Sequence, residues 1–152
     1  MKKILVLIGL IWSIALPCFA MFLDDSPEKY HKVFSTIKSS SYVDDNSITV
    51  TRYDPPFYII QADVYTAWYE NEIVSKMKCQ YFYDYDTKEV NIKVFSYQYE
   101  FNFSGQFLRS GPAGAKIERV SPGTNGMILA NYLFYKCYNM EFYPGTRPGT
   151  SK

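Results

Sequence analysis

The sequence predicts one α+β domain, in which an antiparallel β meander of about five to six strands carries a C-terminal helix packed on one face. Three observations lead to this fold class. Runs of Val, Ile, Thr, Tyr and Phe alternate with polar residues between residues 48 and 120, which is the pattern of half-buried strands. Asp, Asn, Pro and Gly residues separate these runs at turn positions. Beyond residue 123 the apolar spacing changes to the helical period.

The first twenty residues have the pattern of a secretory signal peptide. Two lysines precede an apolar run over residues 4–16, and Cys18 and Ala20 are the small residues expected before a cut after Ala20. The run is too short for a stable anchor, which needs about 20 apolar residues. An uncleaved anchor is one alternative, and a lipoprotein acylated at Cys18 is another, although Pro17 is unusual before an acylated cysteine. We therefore expect an exported protein in the periplasm, at the cell surface or secreted, with no stable membrane span after cleavage.

The first half of the remaining chain holds a lead-in and three predicted strands. Residues 21–28 are polar and predict a flexible lead-in, after which residues 29–37 form a weak first strand. An Asx turn at residues 44–47 precedes the second strand at residues 48–53. Two prolines end that strand, and residues 57–69 form the longest strand because their apolar residues alternate throughout.

The second half predicts three more strands and the helix. The three strands share the alternating pattern and cover residues 75–85, 89–103 and 115–120. Apolar residues change face near Val94, which predicts a β-bulge there. Residues 124–140 have helical apolar spacing and form the C-terminal helix. The domain therefore spans residues 29–142, and residues 143–152 form a flexible tail with two Pro-Gly pairs.

Two cysteines remain once the signal peptide is removed. Cys79 lies on the apolar face of the strand at residues 75–85, and Cys137 lies on the inner face of the helix. In an oxidising compartment such a pair is expected to form a disulfide, which would attach the helix to the sheet. Two buried free thiols are the alternative.

The composition excludes several classes of function. Sixteen basic and fifteen acidic residues leave no positive excess to bind phosphates, so we expect no nucleic-acid partner. His31 is the only histidine and has no nucleophile motif to serve, and the chain is too poor in His and Cys for a zinc site. Asp84 and Asp86 resemble the start of a calcium loop, but Lys88 occupies the third ligand position, so a hairpin turn is favoured. No catalytic residue, metal or cofactor is expected.

Aromatic residues make up 18% of the chain, more than one buried face of a sheet can hold. Tyr65, Tyr69, Tyr97 and Tyr99 are our candidates for an exposed patch that binds a protein or glycan partner at the cell surface. Cross-strand aromatic pairs that only stabilise the sheet are the alternative.

The function that these observations favour is an exported, non-enzymatic binding domain of the surface-adhesin kind, whose ligand the sequence does not identify. An envelope-resident structural subunit is the alternative within the non-enzymes. A small glycan hydrolase is a further alternative, in which Asp63 and Glu70 would serve as the paired carboxylates.

Three segments together resemble the surface-adhesin protein E-like family of small secreted bacterial proteins, most of which are uncharacterised. The segments are Tyr42-Val43-Asp44-Asp45-Asn46-Ser47-Ile48, the cysteine in the middle of the strand at residues 75–85, and Ser121-Pro122-Gly123-Thr124 before a helix that contains a cysteine. The resemblance covers residues 30–140. It implies an exported protein with an antiparallel sheet and a C-terminal helix attached by a disulfide. The namesake of the family is a surface adhesin for host proteins.

Overall fold

Eight β-strands and one α-helix make up the part of the chain that the computed structural model describes, residues 21–145 without the side chain of Ser96. The strands are β1 (Tyr30–Ser35), β2 (Ser39–Asp44), β3 (Thr49–Asp54), β4 (Phe57–Trp68), β5 (Ile73–Asp84), β6 (Glu89–Asn102), β7 (Phe107–Pro112) and β8 (Ile117–Arg119). The helix is α1 (Asn125–Tyr138), and a single 3-10 turn (Asp45–Ser47) lies between β2 and β3. The α+β class is confirmed, whereas the predicted signal peptide lies outside the described residues.

All the strands pair antiparallel in one sheet, in the order β1-β2-β4-β5-β6-β7. β2 and β3 both pair with β4, one along each half of it, and β7 and β8 divide β6 in the same way. The row of strands beside β4 is thus divided into β2 and β3, and the row beside β6 is divided into β7 and β8. The predicted count of about five to six strands was too low because each interruption gives two short strands where the sequence pattern shows one or none.

The two strands missing from the prediction lack a clear alternation. β2 begins with three serines, and every residue in it is buried, so no polar face marks it as a strand. β7 ends in Gly111-Pro112 and is largely exposed. The bulge predicted near Val94 is confirmed, because Cys79 pairs with Val94 while Met77 pairs with Gln98, which leaves β6 with two extra residues.

The helix α1 covers one face of the sheet. It begins after Thr124 and ends at Asn139, whose left-handed conformation (φ 53°) is the usual geometry of a helix C-terminus. Phe134 is fully buried against a cluster of aromatic rings, and the Tyr83 hydroxyl donates a hydrogen bond to the Ala130 carbonyl at 2.8 Å. The main hydrophobic core therefore lies between α1 and the central strands.

An ion pair and a hydrogen bond also attach α1 to the 3-10 turn. The carboxylate of Asp45 accepts hydrogen bonds from the Tyr132 hydroxyl and from the Lys136 ammonium, each at 2.6 Å. The Tyr132 ring stacks on His31 of β1 with ring centroids 4.6 Å apart. His31, the only histidine, thus contributes to helix packing.

The segment before β1, which we predicted to be a flexible lead-in, packs against the sheet instead. Met21 and Leu23 are buried in a second cluster with Tyr42, Tyr65 and Val74. The Phe22 amide donates to the Phe103 carbonyl at 2.9 Å. The prediction was wrong because it gave the charged residues of this segment more weight than its three apolar residues.

The predicted tail also begins too early. Phe142 is fully buried, and Tyr143, which we placed in the tail, is half-buried and donates a hydrogen bond from its hydroxyl to the Lys88 carbonyl. The rest of the predicted tail beyond residue 145 lies outside the described residues.

The expected disulfide is not formed, and both Cys79 and Cys137 are free thiols. Burial, together with the neighbouring Tyr81 and Cys137, raises the pKa of Tyr83, so Cys137 lies near Tyr83. Cys79 lies four residues from Tyr83 on the same face of β5, about 13 Å along the strand. Tyr81 occupies the position between them. Both cysteines point towards the core, as predicted.

Candidate functional site

A shallow depression of ≈ 440 Å³ lies on the face of the sheet opposite α1. Its position follows from the alternation along the strands, since Ala62 and Val64 face the main core and Asp63 between them faces the other way. Six residues from three neighbouring strands line it: Asp63, Lys76, Lys78, Phe95, Tyr97 and Tyr99. We call this feature the depression.

The register of the central strands brings these residues together. Asp63 of β4 pairs with Lys78 of β5, and Lys76 of β5 pairs with Tyr99 of β6. Lys78 lies opposite the bulge in β6, where the extra residues present Phe95 and Tyr97. A carboxylate, two ammonium groups and three aromatic rings thus lie in parallel rows across adjacent strands.

Asp63 is the buried group of the depression. The residue is only 9% exposed, and its Oδ2 lies 2.8 Å from the Lys76 ammonium. Its backbone N–H donates to the Ser47 hydroxyl at 2.8 Å, which fixes this point of β4. Its other carboxylate oxygen, Oδ1, is buried and accepts no hydrogen bond from the described residues. A buried acceptor without a donor is unfavourable by about 1–3 kcal/mol, so Oδ1 would gain from a donor supplied by a ligand.

The two lysines of the depression differ in their ion pairing. Lys76 is paired with Asp63, and its ammonium also lies 5.5 Å from the centre of the Tyr65 ring. Lys78 is exposed and forms no ion pair with any residue that the structure describes. The depression therefore carries one uncompensated positive charge.

Two of the four predicted patch tyrosines lie in the depression and two do not. Tyr97 is 58% exposed and Tyr99 is 43% exposed. Tyr65 is buried in the second cluster against Tyr30, and burial raises its pKa. Tyr69 is half-buried, and its hydroxyl lies 2.5 Å from that of Ser40. The contiguous four-tyrosine patch that we predicted is therefore wrong, because the N-terminal segment covers the part of this face around Tyr65.

Sequence reasoning had noted most of the other lining residues without assembling them into a site. Lys76 and Lys78 share one face of a strand by simple alternation, and Phe95 is in phase with Tyr97. What the sequence did not supply was the register that places Asp63 beside them. The only signal for it was an acidic residue in the middle of a largely apolar strand.

The structure does not bring Asp63 and Glu70 together. Trp68 lies five positions after Asp63 in β4, about 17 Å along the strand, and Glu70 is exposed in the turn beyond. Glycoside chemistry with paired carboxylates requires a separation of about 5–10 Å. This pair does not form the arrangement that the hydrolase alternative requires.

The acidic turn after β5 is a hairpin turn, as favoured. One oxygen of Asp84 accepts hydrogen bonds from the Asp86 and Thr87 amides at 3.1 and 3.2 Å. The Lys88 ammonium lies 3.1 Å from the centre of the Tyr85 ring. Among residues 21–145 no three His, Cys, Asp or Glu residues come together as a metal site, and no helix there is long and apolar enough to cross a membrane.

Comparison with protein-family models, with curated proteins and with solved structures gave no match to this chain. The resemblance to the surface-adhesin protein E-like family therefore stays a prediction, and the depression is interpreted from its own chemistry.

Proposed function

We propose that this chain is an exported, non-enzymatic binding domain that holds a protein or glycan partner in the depression. The observation that carries the proposal is the pair of exposed tyrosines, Tyr97 and Tyr99 of β6, beside Lys78, which forms no ion pair with a described residue. Tyrosine rings offer a large contact area with little loss of side-chain entropy on binding, and they are enriched in interfaces for that reason.

The placement of these residues on strands supports recognition. Asp63 pairs with Lys78, Lys76 pairs with Tyr99, and Tyr97 in the bulge pairs with Pro112 of β7, so strand pairing positions these side chains before any partner arrives. Preorganisation lowers the entropic cost of binding. Export is supported by the signal-peptide pattern of residues 1–20.

A capture experiment tests the proposal. The exported protein, purified from cells that express the full chain, is immobilised and exposed to envelope fractions and to host matrix proteins. We expect it to retain a partner that the double variant Tyr97→Ala/Tyr99→Ala loses. Tyr53→Ala is the matched control, because Tyr53 is 67% exposed and lies on β3 away from the depression.

The proposal fails if the double variant captures the same partners as the wild type. It also fails if the protein captures nothing, turns over a glycan, and loses that activity in Asp63→Asn. Circular dichroism of each variant shows whether the fold is retained, so a loss of capture is assigned to the surface and not to unfolding.

A further inference from the structure

We infer that the partner of the depression is an acidic glycan, one whose sugar units carry carboxylate groups. This inference rests on the proposed function and identifies the chemical class of its ligand. Three features of the depression lead to it, and each one matches a different group on such a sugar.

The first feature is positive charge without a local counter-charge. Lys78 is exposed and forms no ion pair with a described residue, and Asp63, the one carboxylate of the depression, is already paired with Lys76. Lys93 lies on the same face of β6, two residues before Phe95, and it too has no ion pair among the described residues. A row of cations beside one neutralised acid attracts an anionic ligand.

The second feature is the aromatic row. Tyr97 and Tyr99 alternate along β6, so their side chains leave the same face of the strand about 7 Å apart. Both rings are exposed, and their faces offer dispersion contacts to the flat C–H surface of a sugar ring. Since the lysines of β5 run alongside, a chain of sugars lying along β6 would direct its carboxylates towards β5.

The third feature is the unsatisfied oxygen of Asp63. Oδ1 is buried in a residue that lines the depression and lacks a hydrogen-bond donor among the described residues. A sugar hydroxyl is a small, neutral donor that can fill this role without adding charge. An acidic peptide would match the lysines, but a sugar acid combines a flat C–H surface, hydroxyl donors and a carboxylate within one rigid ring.

The test measures binding of defined oligomers to the full exported protein by titration calorimetry. The probes are a galacturonate hexamer, a mannuronate hexamer, the neutral glucose hexamer maltohexaose, and hexaglutamate. We expect at least one uronate hexamer to bind more tightly than maltohexaose and hexaglutamate, with an affinity that falls as salt is raised.

Three variants locate the site. Lys78→Gln should weaken uronate binding by about fivefold, the effect of losing one exposed ion pair. Tyr97→Ala should weaken it by up to about tenfold, the effect of one stacking contact. Lys38→Gln is the control, because Lys38 is an exposed lysine in the turn between β1 and β2, outside the depression, and it should leave the affinity unchanged.

The other outcomes overturn the inference in distinguishable ways. Equal binding of maltohexaose shows that charge plays no part, and binding of hexaglutamate alone shows that the partner is an acidic protein. If neither uronate binds while Tyr97→Ala/Tyr99→Ala still abolishes capture of a partner, the glycan inference is wrong and the proposed function stands. If that double variant has no effect on capture either, both are wrong.

Discussion

Phe134 packs α1 against the aromatic cluster of the main core. It is fully buried, and its ring centre lies 4.8–5.7 Å from those of five other rings: Tyr58, Tyr83, Tyr85, Tyr138 and Phe142. Phe134→Ala removes the shared member of this cluster. Large-to-small changes of a buried Phe are destabilising by about 3–5 kcal/mol, and the cavity persists where the surroundings cannot collapse. Here Tyr58 and Tyr83 belong to strands, Tyr85 to the turn after β5 and Phe142 to the buried segment after α1, so we expect about 4 kcal/mol.

Urea unfolding followed by circular dichroism measures this loss. With a slope of about 2 kcal/mol per molar urea for a domain of this size, 4 kcal/mol lowers the unfolding midpoint by about 2 M. Ile128→Ala is the control in the same helix, because Ile128 is 37% exposed, and its midpoint should move by less than about 0.5 M. If Phe134→Ala does not fold, Phe134→Leu should retain the fold and lose about 1.5 kcal/mol or less. A midpoint change below about 0.5 M for Phe134→Ala would refute the assignment of the core to this cluster.

Three further predictions concern the contacts between Asp45 and α1, the two thiols, and stability at alkaline pH. Asp45→Ala should lower the free energy of unfolding by about 1–3 kcal/mol, because Tyr132 and Lys136 of α1 lose their acceptor. Asp25→Ala is the control, since Asp25 is exposed, and it should change the free energy of unfolding little. Equal effects of the two variants would show that Asp45 does not stabilise the docking of α1. Thiol titration in denaturant without reductant should find both Cys79 and Cys137 free. In the native protein Cys79 should react more slowly than Cys137, because burial raises the pKa of Cys79 to about 12 and that of Cys137 to about 11. The free energy of unfolding should fall as pH rises from about 9 to 12. Burial raises the pKa of Cys79 and of Tyr42 in the folded protein to about 12, so the unfolded chain loses these protons first. Unfolding curves that coincide at pH 8 and pH 11 would refute this prediction.

The sequence predicted well those elements whose pattern is set by one buried face. The apolar residues of β4, β5, β6 and α1 that face the main core recur at the strand or helix period, so this period identifies the four elements and gives most of their bounds. The same reasoning failed for β2, where both sides are buried and serines occupy three positions. It also failed for residues 21–25, because a short segment has no period and its burial depends on a site that the sheet must first create.

The candidate site was predicted only in part for a related reason. Alternation correctly placed Tyr97 and Tyr99 on a face away from α1, but it treated Tyr65 in the same way. Which part of that face stays open is decided by residues 21–25, far away in sequence, and by the register between β4 and β5. Neither long-range packing nor the register could be derived from the local pattern. The cysteine faces were likewise right, while the disulfide required a helix position that only the tertiary structure defines.

The pairing order of the sheet has a consequence for the order of folding. Successive hairpins join β1 to β2, β3 to β4, β4 to β5, β5 to β6 and β6 to β7, so most of the sheet forms through contacts between neighbours in sequence, which keeps loop-closure entropy small. The two chain ends behave differently, because Phe22 bonds to Phe103 and α1 bonds to Asp45. A chain that is synthesised from its N-terminus must therefore complete six strands before Phe22 meets Phe103. The N-terminal segment gains the last of these contacts only at that point, so the depression acquires its final outline when folding is nearly complete.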